Sequence, residues 1–194
     1  MSVSARISGR IKHMPKAHPF CTGDFREFGS RIAVNRAMSR LVEAGVLERL
    51  ARGIYMRPKI SPYAGNVRRS TSSILRVIAR RNRETTQIHG AEAVRQFNLS
   101  TQMQVASTFY TGGSSRELRF GRKTLRLQHV SQVKLQYAGT KVGLALVALF
   151  YLGKAGVDSN AVAKIRSKLS PVEFDALQSC QMPKWMKVAV LQSR

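Results

Sequence analysis

The chain has 194 residues, 33 of them Lys or Arg and 10 Asp or Glu, for a formal net charge of +23. So lopsided a balance repels itself without a polyanion nearby, which makes nucleic acid the first partner to consider. Hydrophobic residues make up 43%, which excludes global disorder, and the length allows one large or two small domains.

The charge belongs to the whole chain: +8 over residues 1–65, +10 over 66–139 and +5 over 140–194. No block of five or six like charges occurs, so this is not a disordered basic tail. The two cysteines, Cys21 and Cys180, have no close spacing and read as reduced thiols. His13 and His18 lie near Cys21 but match no zinc pattern, so neither metal nor cofactor is expected. The basic N-terminus, MSVSARISGRIKHM, lacks an apolar signal segment. The most apolar run, Val142 to Leu152, is about half the length needed to span a bilayer and reads as a buried helix. A cytoplasmic protein with no membrane partner is the expectation.

The first predicted element is a helix over residues 2–14, with Val3, Ile7, Ile11 and Met14 on one face and Pro15 ending it. Pro19-Phe20-Cys21 reads as a connector. Thr22-Gly23-Asp24 starts a short helix through Phe25 and Phe28, closed by Gly29. Ser30 then caps a third helix in which Val34, Ala37, Met38 and Leu41 recur at helical period. Ile32, Asn35, Arg36, Ser39 and Arg40 lie opposite that stripe, and Gly45 stops the helix. Residues 46–50 and 53–56 alternate as two short strands around Ala51-Arg52. Helix, short helix, helix and hairpin in about 57 residues is the layout of a winged helix-turn-helix. Asn, Arg and Ser on the outer face of the third helix suit base edges and phosphates, and Arg49, Arg52 and Arg57 would stand beside them on the wing.

Two prolines and a glycine in residues 58–66 mark a boundary. The reading is a DNA-binding domain over 1–58, a linker over 59–66 and a second domain over 67–194. The second domain opens with a helix from Val67 to Arg81 that turns Ile74, Leu75 and Ile78 inward. A short helix spans about Gly90 to Phe97. Residues 103–130 read as a small antiparallel β-ribbon, with turns at Gly112-Gly113-Ser114-Ser115 and Gly121-Arg122-Lys123. The last third is helical: Thr140–Leu152, then Ser159–Leu169 capped by Asp158. A helix with the Ser170-Pro171-Val172-Glu173 start signal follows, and Pro183–Gln192 closes the series. The fold class is therefore α+β, an N-terminal winged helix followed by a mixed domain of ribbon and helices.

The run Asp24-Phe25…Gly29-Ser30…Ala37-Met38-Ser39-Arg40-Leu41…Gly45…Arg49-Leu50-Ala51-Arg52-Gly53-Ile54-Tyr55…Pro58 resembles the AbiEi family of antitoxins. Ser61-Pro62, Leu99-Ser100-Thr101-Gln102 and the Gly112–Arg116 turn extend the resemblance past the hairpin. It implies an N-terminal domain that binds operator inverted repeats in double-stranded DNA and represses its own promoter. It also implies a C-terminal antitoxin domain and a nucleotidyltransferase-like toxin as partner. By that carry-over Ser30, Arg31, Asn35, Arg36, Ser39 and Arg40 fall on the recognition helix, and Arg49, Arg52 and Arg57 on the wing.

Several residues keep two readings. Arg40 could hold phosphate or pair with Glu43. Arg68, Arg69, Arg80 and Arg81, with Arg122 and Lys123 of the ribbon turn, are further phosphate contacts or a solvated face. Phe109, Tyr110 and Tyr137 could stack on bases or pack in the ribbon. An RNA-binding module built on the basic ribbon is the alternative function. An enzyme is not expected: no phosphate loop, nucleophile elbow or metal-spaced cluster occurs, and Glu173 and Asp175 point apart on a helix.

Overall fold

The computed structural model describes residues 2–61, 65–66, 70–102, 107–120 and 123–192. The first helix, α1 (Val3–Lys12), is capped by Ser2, whose Oγ accepts from Ala5 N at 3.2 Å, and it buries Ile7 and Ile11 completely. Pro19–Cys21 is a strand, β1, rather than a connector. A 3₁₀ helix follows over Thr22–Phe28, then α2 over Arg31–Glu43. Ser30 caps α2 with Oγ accepting from Ala33 N at 3.3 Å, and Gly45 leaves it at φ +68°, a conformation glycine adopts at no steric cost. The hairpin of β2 (Glu48–Ala51) and β3 (Ile54–Met56) completes an antiparallel sheet in the order β1-β3-β2.

The missed strand has a plain cause. A central strand needs two partners, and β3 finds its second in Pro19–Cys21, paired Phe20 to Tyr55. A three-residue run headed by proline carries no periodicity of its own, so only tertiary context makes it a strand. Proline is tolerated at that position because it begins an edge strand.

Next come β4 (Ile60–Ser61) and β5 (Gly65–Asn66), a small antiparallel pair, and α3 (Thr71–Asn82), which buries Ile74, Leu75, Val77 and Ile78. Contacts divide the chain at this point: one unit comprises residues 1–84 with 118–123, the other 85–117 with 124–194. The break falls after α3, not at residues 59–66, because α3 packs against β1. In the first unit Ile7, Ile11, Phe20, Phe25, Val34, Ala37, Met38, Leu47 and Tyr55 form one core. Phe25 stands 5.5 Å from Phe20 and 5.8 Å from Phe28 by ring centroids.

The second unit begins with β6 (Thr86–Ile88) and α4 (Gly90–Gln96). Strands β7 (Ser107–Thr111), β8 (Arg116–Phe120) and β9 (Lys123–His129) join β6 in a sheet of order β6-β7-β9-β8. The antiparallel ribbon expected over residues 103–130 is thus a mixed sheet. The β6–β7 pair is antiparallel, but β7 runs parallel to β9 with Phe109 opposite Leu127. Gly112–Ser115 is accordingly a crossing connection and not a hairpin turn. It is tied to the end of β9, where His129 N donates to Ser115 Oγ at 2.8 Å and His129 Nδ1 lies 2.9 Å from Gly113 O.

A 3₁₀ turn over Gln132–Leu135 leads to α5 (Lys141–Gly156), then α6 (Ser159–Ser167), α7 (Pro171–Ser179) and α8 (Lys184–Gln192). Asp158 Oδ1 caps α6 by accepting from Ala161 N at 2.7 Å. Ser170 and Glu173 form a reciprocal capping box on α7. In α5 Val142, Gly143 and Ala145 to Leu149 are all buried, as the long apolar run predicts, and they centre the core of this unit with Ala93, Val94, Phe97, Leu177 and Met186. The chain is therefore an α+β protein. Among the described residues no helix is long and apolar enough to cross a membrane.

Candidate nucleic-acid interface

Within the first unit a cleft of about 1020 Å³ runs along α2 toward the β2–β3 hairpin. Its lining follows from helical geometry. Arg31, Asn35 and Ser39 are spaced by four residues, so they lie one above another along one edge of α2, and all three line the cleft. Ile32, Arg36 and Arg40 follow roughly 100° further round the helix. They are exposed, Ile32 by 67%, and stand outside the cleft lining. Ala37 and Met38 turn into the core, and Val34, buried beside them, also lines the cleft.

The hairpin supplies Arg49, Arg52, Gly53 and Tyr55. Arg49 and Arg52 are exposed and Tyr55 is buried, and the pairing shifts register between Arg49 and Ala51. Gly53 takes φ +72°, and its carbonyl accepts from Thr22 N at 3.1 Å, which ties the turn to the end of β1. The end of α3 brings Arg80, Arg81 and Arg83, and the 3₁₀ helix brings Arg26.

Among the described residues, seven arginines thus line one cleft, against a single carboxylate, Asp24. That carboxylate is already engaged, accepting from Cys21 N at 3.0 Å and standing 3.7 Å from the Arg80 guanidinium. Burial, together with the Asp24 carboxylate, pushes the Cys21 thiol up from its ordinary pKa. That shift disfavours the thiolate, the nucleophilic form of cysteine. Among the described residues no group of three or more His, Cys, Asp or Glu is placed to hold a metal.

The residues singled out from sequence are therefore sorted by the structure. Arg31, Asn35, Ser39, Arg49, Arg52, Arg80 and Arg81 come together in the cleft. Arg36 and Arg40 share the exposed side of α2 beside it. Ser30 is spent on capping. Arg57 is half-buried, and its Nη1 donates to Lys12 O at 2.7 Å and Met14 O at 2.6 Å, so it closes the end of α1 instead of facing a ligand. Arg68, Arg69 and Arg122 lie outside the described residues, and Lys123 opens β9. Tyr110 is buried, which favours packing, whereas Tyr137 is 50% exposed. Sequence reasoning missed Arg26 and Arg83. The signal for Arg83 was present in Arg80-Arg81-Asn82-Arg83, three arginines in four residues at a helix end.

The chain belongs to DUF6088, a family of unknown function, whose match spans residues 6–177. No curated protein matches it. Among solved structures it is similar to the crystal structure of RV2827C protein from Mycobacterium tuberculosis, with a TM-score of 0.50 and 13% sequence identity. The likeness covers 98% of this chain and 76% of that one, and it bears on fold alone.

Proposed function

We propose that the first unit is a winged helix-turn-helix that binds double-stranded DNA with sequence preference, and that the protein acts as an autorepressor and antitoxin. The observation that carries the DNA reading is the cleft, where α2, the hairpin, the 3₁₀ helix and the end of α3 together bring seven arginines against one acid among the described residues. In this reading α2 is the recognition helix. Its exposed Asn35 and Arg36 suit the donor and acceptor pattern of adenine and guanine in the major groove. Arg49 and Arg52 on the wing hold backbone phosphate and set register rather than sequence. The antitoxin and repressor roles, and a nucleotidyltransferase-like toxin as partner, rest on the resemblance of the N-terminal run to AbiEi antitoxins. The chain is read as a binding protein and not as an enzyme, acting in the cytoplasm.

The test is recovery of bound genomic fragments by pull-down and sequencing, followed by titration of the enriched site. Several phosphate contacts should lower affinity by orders of magnitude between about 50 and 200 mM salt. Arg36→Ala should relax sequence preference and cost roughly 1–3 kcal/mol on the enriched site. Arg52→Ala should weaken enriched and random DNA alike. A flat salt response, or tighter binding to structured RNA than to any duplex, would overturn the DNA reading. Growth rescue in cells expressing an adjacent nucleotidyltransferase-like gene tests the antitoxin role separately.

A further inference from the structure

The turn of the β2–β3 hairpin is held by a residue that the sequence places far away. Arg81, at the end of α3, donates from Nη1 to the Arg52 carbonyl. Its guanidinium also lies against Gly53, where an added Cβ would stand 3.0, 3.0 and 3.1 Å from Nη1, Nη2 and Cζ. From the other side Thr22 N donates to Gly53 O. The turn is therefore clasped between the end of β1 and the end of α3. Arg80 and Arg83 line the cleft on either side of this clasp in sequence. Arg80 is 68% exposed in its 3.7 Å pair with Asp24, a surface pair that contributes little and yields readily to a stronger partner.

We infer that α3 is a third arm of the nucleic-acid site, in which Arg81 is a positioning residue. It fixes the hairpin turn so that Arg52 meets a backbone phosphate of duplex DNA, while Arg80 and Arg83 hold further phosphates. The inference rests on the DNA reading above and adds to it a division of labour among arginines. Arginine suits the pinning role because its planar fork gives one N–H to a carbonyl while the rest of the group packs flat on a glycine. A turn held in place before binding loses less freedom when it meets the phosphate.

The experiment uses the full chain and a 25-base-pair duplex of arbitrary sequence, titrated by fluorescence anisotropy at several KCl concentrations. Each phosphate neutralised contributes about 0.9 to the slope of log affinity against log salt. Arg52→Ala should lower that slope by about one. Arg81→Ala should lower it by about as much, and the double variant should fall no further than either single one, because both remove the same contact. Arg80→Ala combined with Arg83→Ala should lower the slope by about two, additively with Arg52→Ala.

Arg81→Lys should behave as Arg81→Ala, since an ammonium keeps the charge but not the fork. Full restoration by lysine, or additive loss in the Arg52/Arg81 double variant, would overturn the positioning role. An unchanged slope for Arg80/Arg83 would remove α3 from the site. Should Arg81→Ala fail to fold, Arg81→Lys, which keeps the aliphatic stem and the charge, carries the same expectation by itself. A wild-type chain with no salt-dependent binding would instead sink the DNA reading itself, a distinct result.

Discussion

Gly9 lies in α1 and Gly143 in α5, and the same substitution to alanine should move stability in opposite directions at the two positions. On helix propensity alone, each change gains about 0.5–1 kcal/mol. At Gly9 nothing stands within 4 Å of the position a Cβ would take, so that gain should be realised. At Gly143 the same atom would run into the Tyr137 carbonyl and stand 2.6 Å from Gln87 Nε2 and 2.7 Å from Tyr137 C. Neither neighbour can withdraw cheaply. Tyr137 O accepts from both Thr140 N at 3.1 Å and Thr140 Oγ1 at 2.7 Å, and Gln87 is 4% exposed. Overpacking of this kind costs about 1–3 kcal/mol, towards the upper end where backbone must shift. Set against the propensity gain, a net loss of about 2 kcal/mol is expected. In a chain of this size that lowers the unfolding midpoint by about 4–8 °C. Trp185, the sole tryptophan, sits half-buried against the core that α5 centres, so its fluorescence follows the affected unit during heating, with calorimetry as the check on Gly9→Ala. A Gly143→Ala chain as stable as wild type would show that the close approach at Tyr137 relaxes without cost and that the reasoning from contact distance fails.

Arg57→Ala should behave as a stability variant. It strips the charged donor from Lys12 O and Met14 O and should cost about 1.5–3 kcal/mol, while the salt slope for DNA stays as in wild type. His89 gives a pH dependence. Burial, only partly offset by a hydrogen bond with the Gln128 side chain, pushes its pKa below the ordinary value, and its ring lies 4.7 Å from Tyr110 and 5.6 Å from Tyr151 by centroids. The unfolded chain therefore binds the proton first, and stability should fall as pH drops through about 6.5, the ordinary imidazole range. His89→Asn keeps a capping group for Ala91 N but removes the titration, so its unfolding midpoint should change less between pH 8 and 5.5; an identical decline in both chains would refute the assignment. A fragment of residues 1–58 should be less stable to urea than one of residues 1–84, because only the longer piece carries α3 against β1.

The parts of this fold that sequence alone specified are those whose signals are local. Ser30, Asp158 and the Ser170–Glu173 pair announce helix starts through hydrogen bonds made within three residues, and each makes the expected bond. The run from Val142 to Leu149 is so apolar that no arrangement leaves it in water. What could not be read was long-range pairing. Nothing between Ser107 and Thr111 reveals that its neighbour is β9 rather than β8, since the choice depends on a crossing connection held by His129. The candidate site divides in the same way. The outer face of α2 is legible from a period of 3.6, whereas the capture of Arg57 by α1 and the reach of Arg81 to the hairpin are contacts over 43 and 29 residues. Periodicity marks both arginines only as cations near a turn or a helix end.

The two cores impose an order on synthesis. The described residues of the aromatic core of the first unit run from Ile7 to Tyr55, so this core can close while most of the chain is still being made. The core of the second unit spans Ala93 to Val190 and is centred on α5. Its helix α4 emerges from the ribosome well before α5, against which it packs. At about 5–20 residues per second, the apolar face of α4 waits for several seconds without its partner. That interval, rather than the finished protein, is when this chain is most exposed to aggregation and most in need of a chaperone.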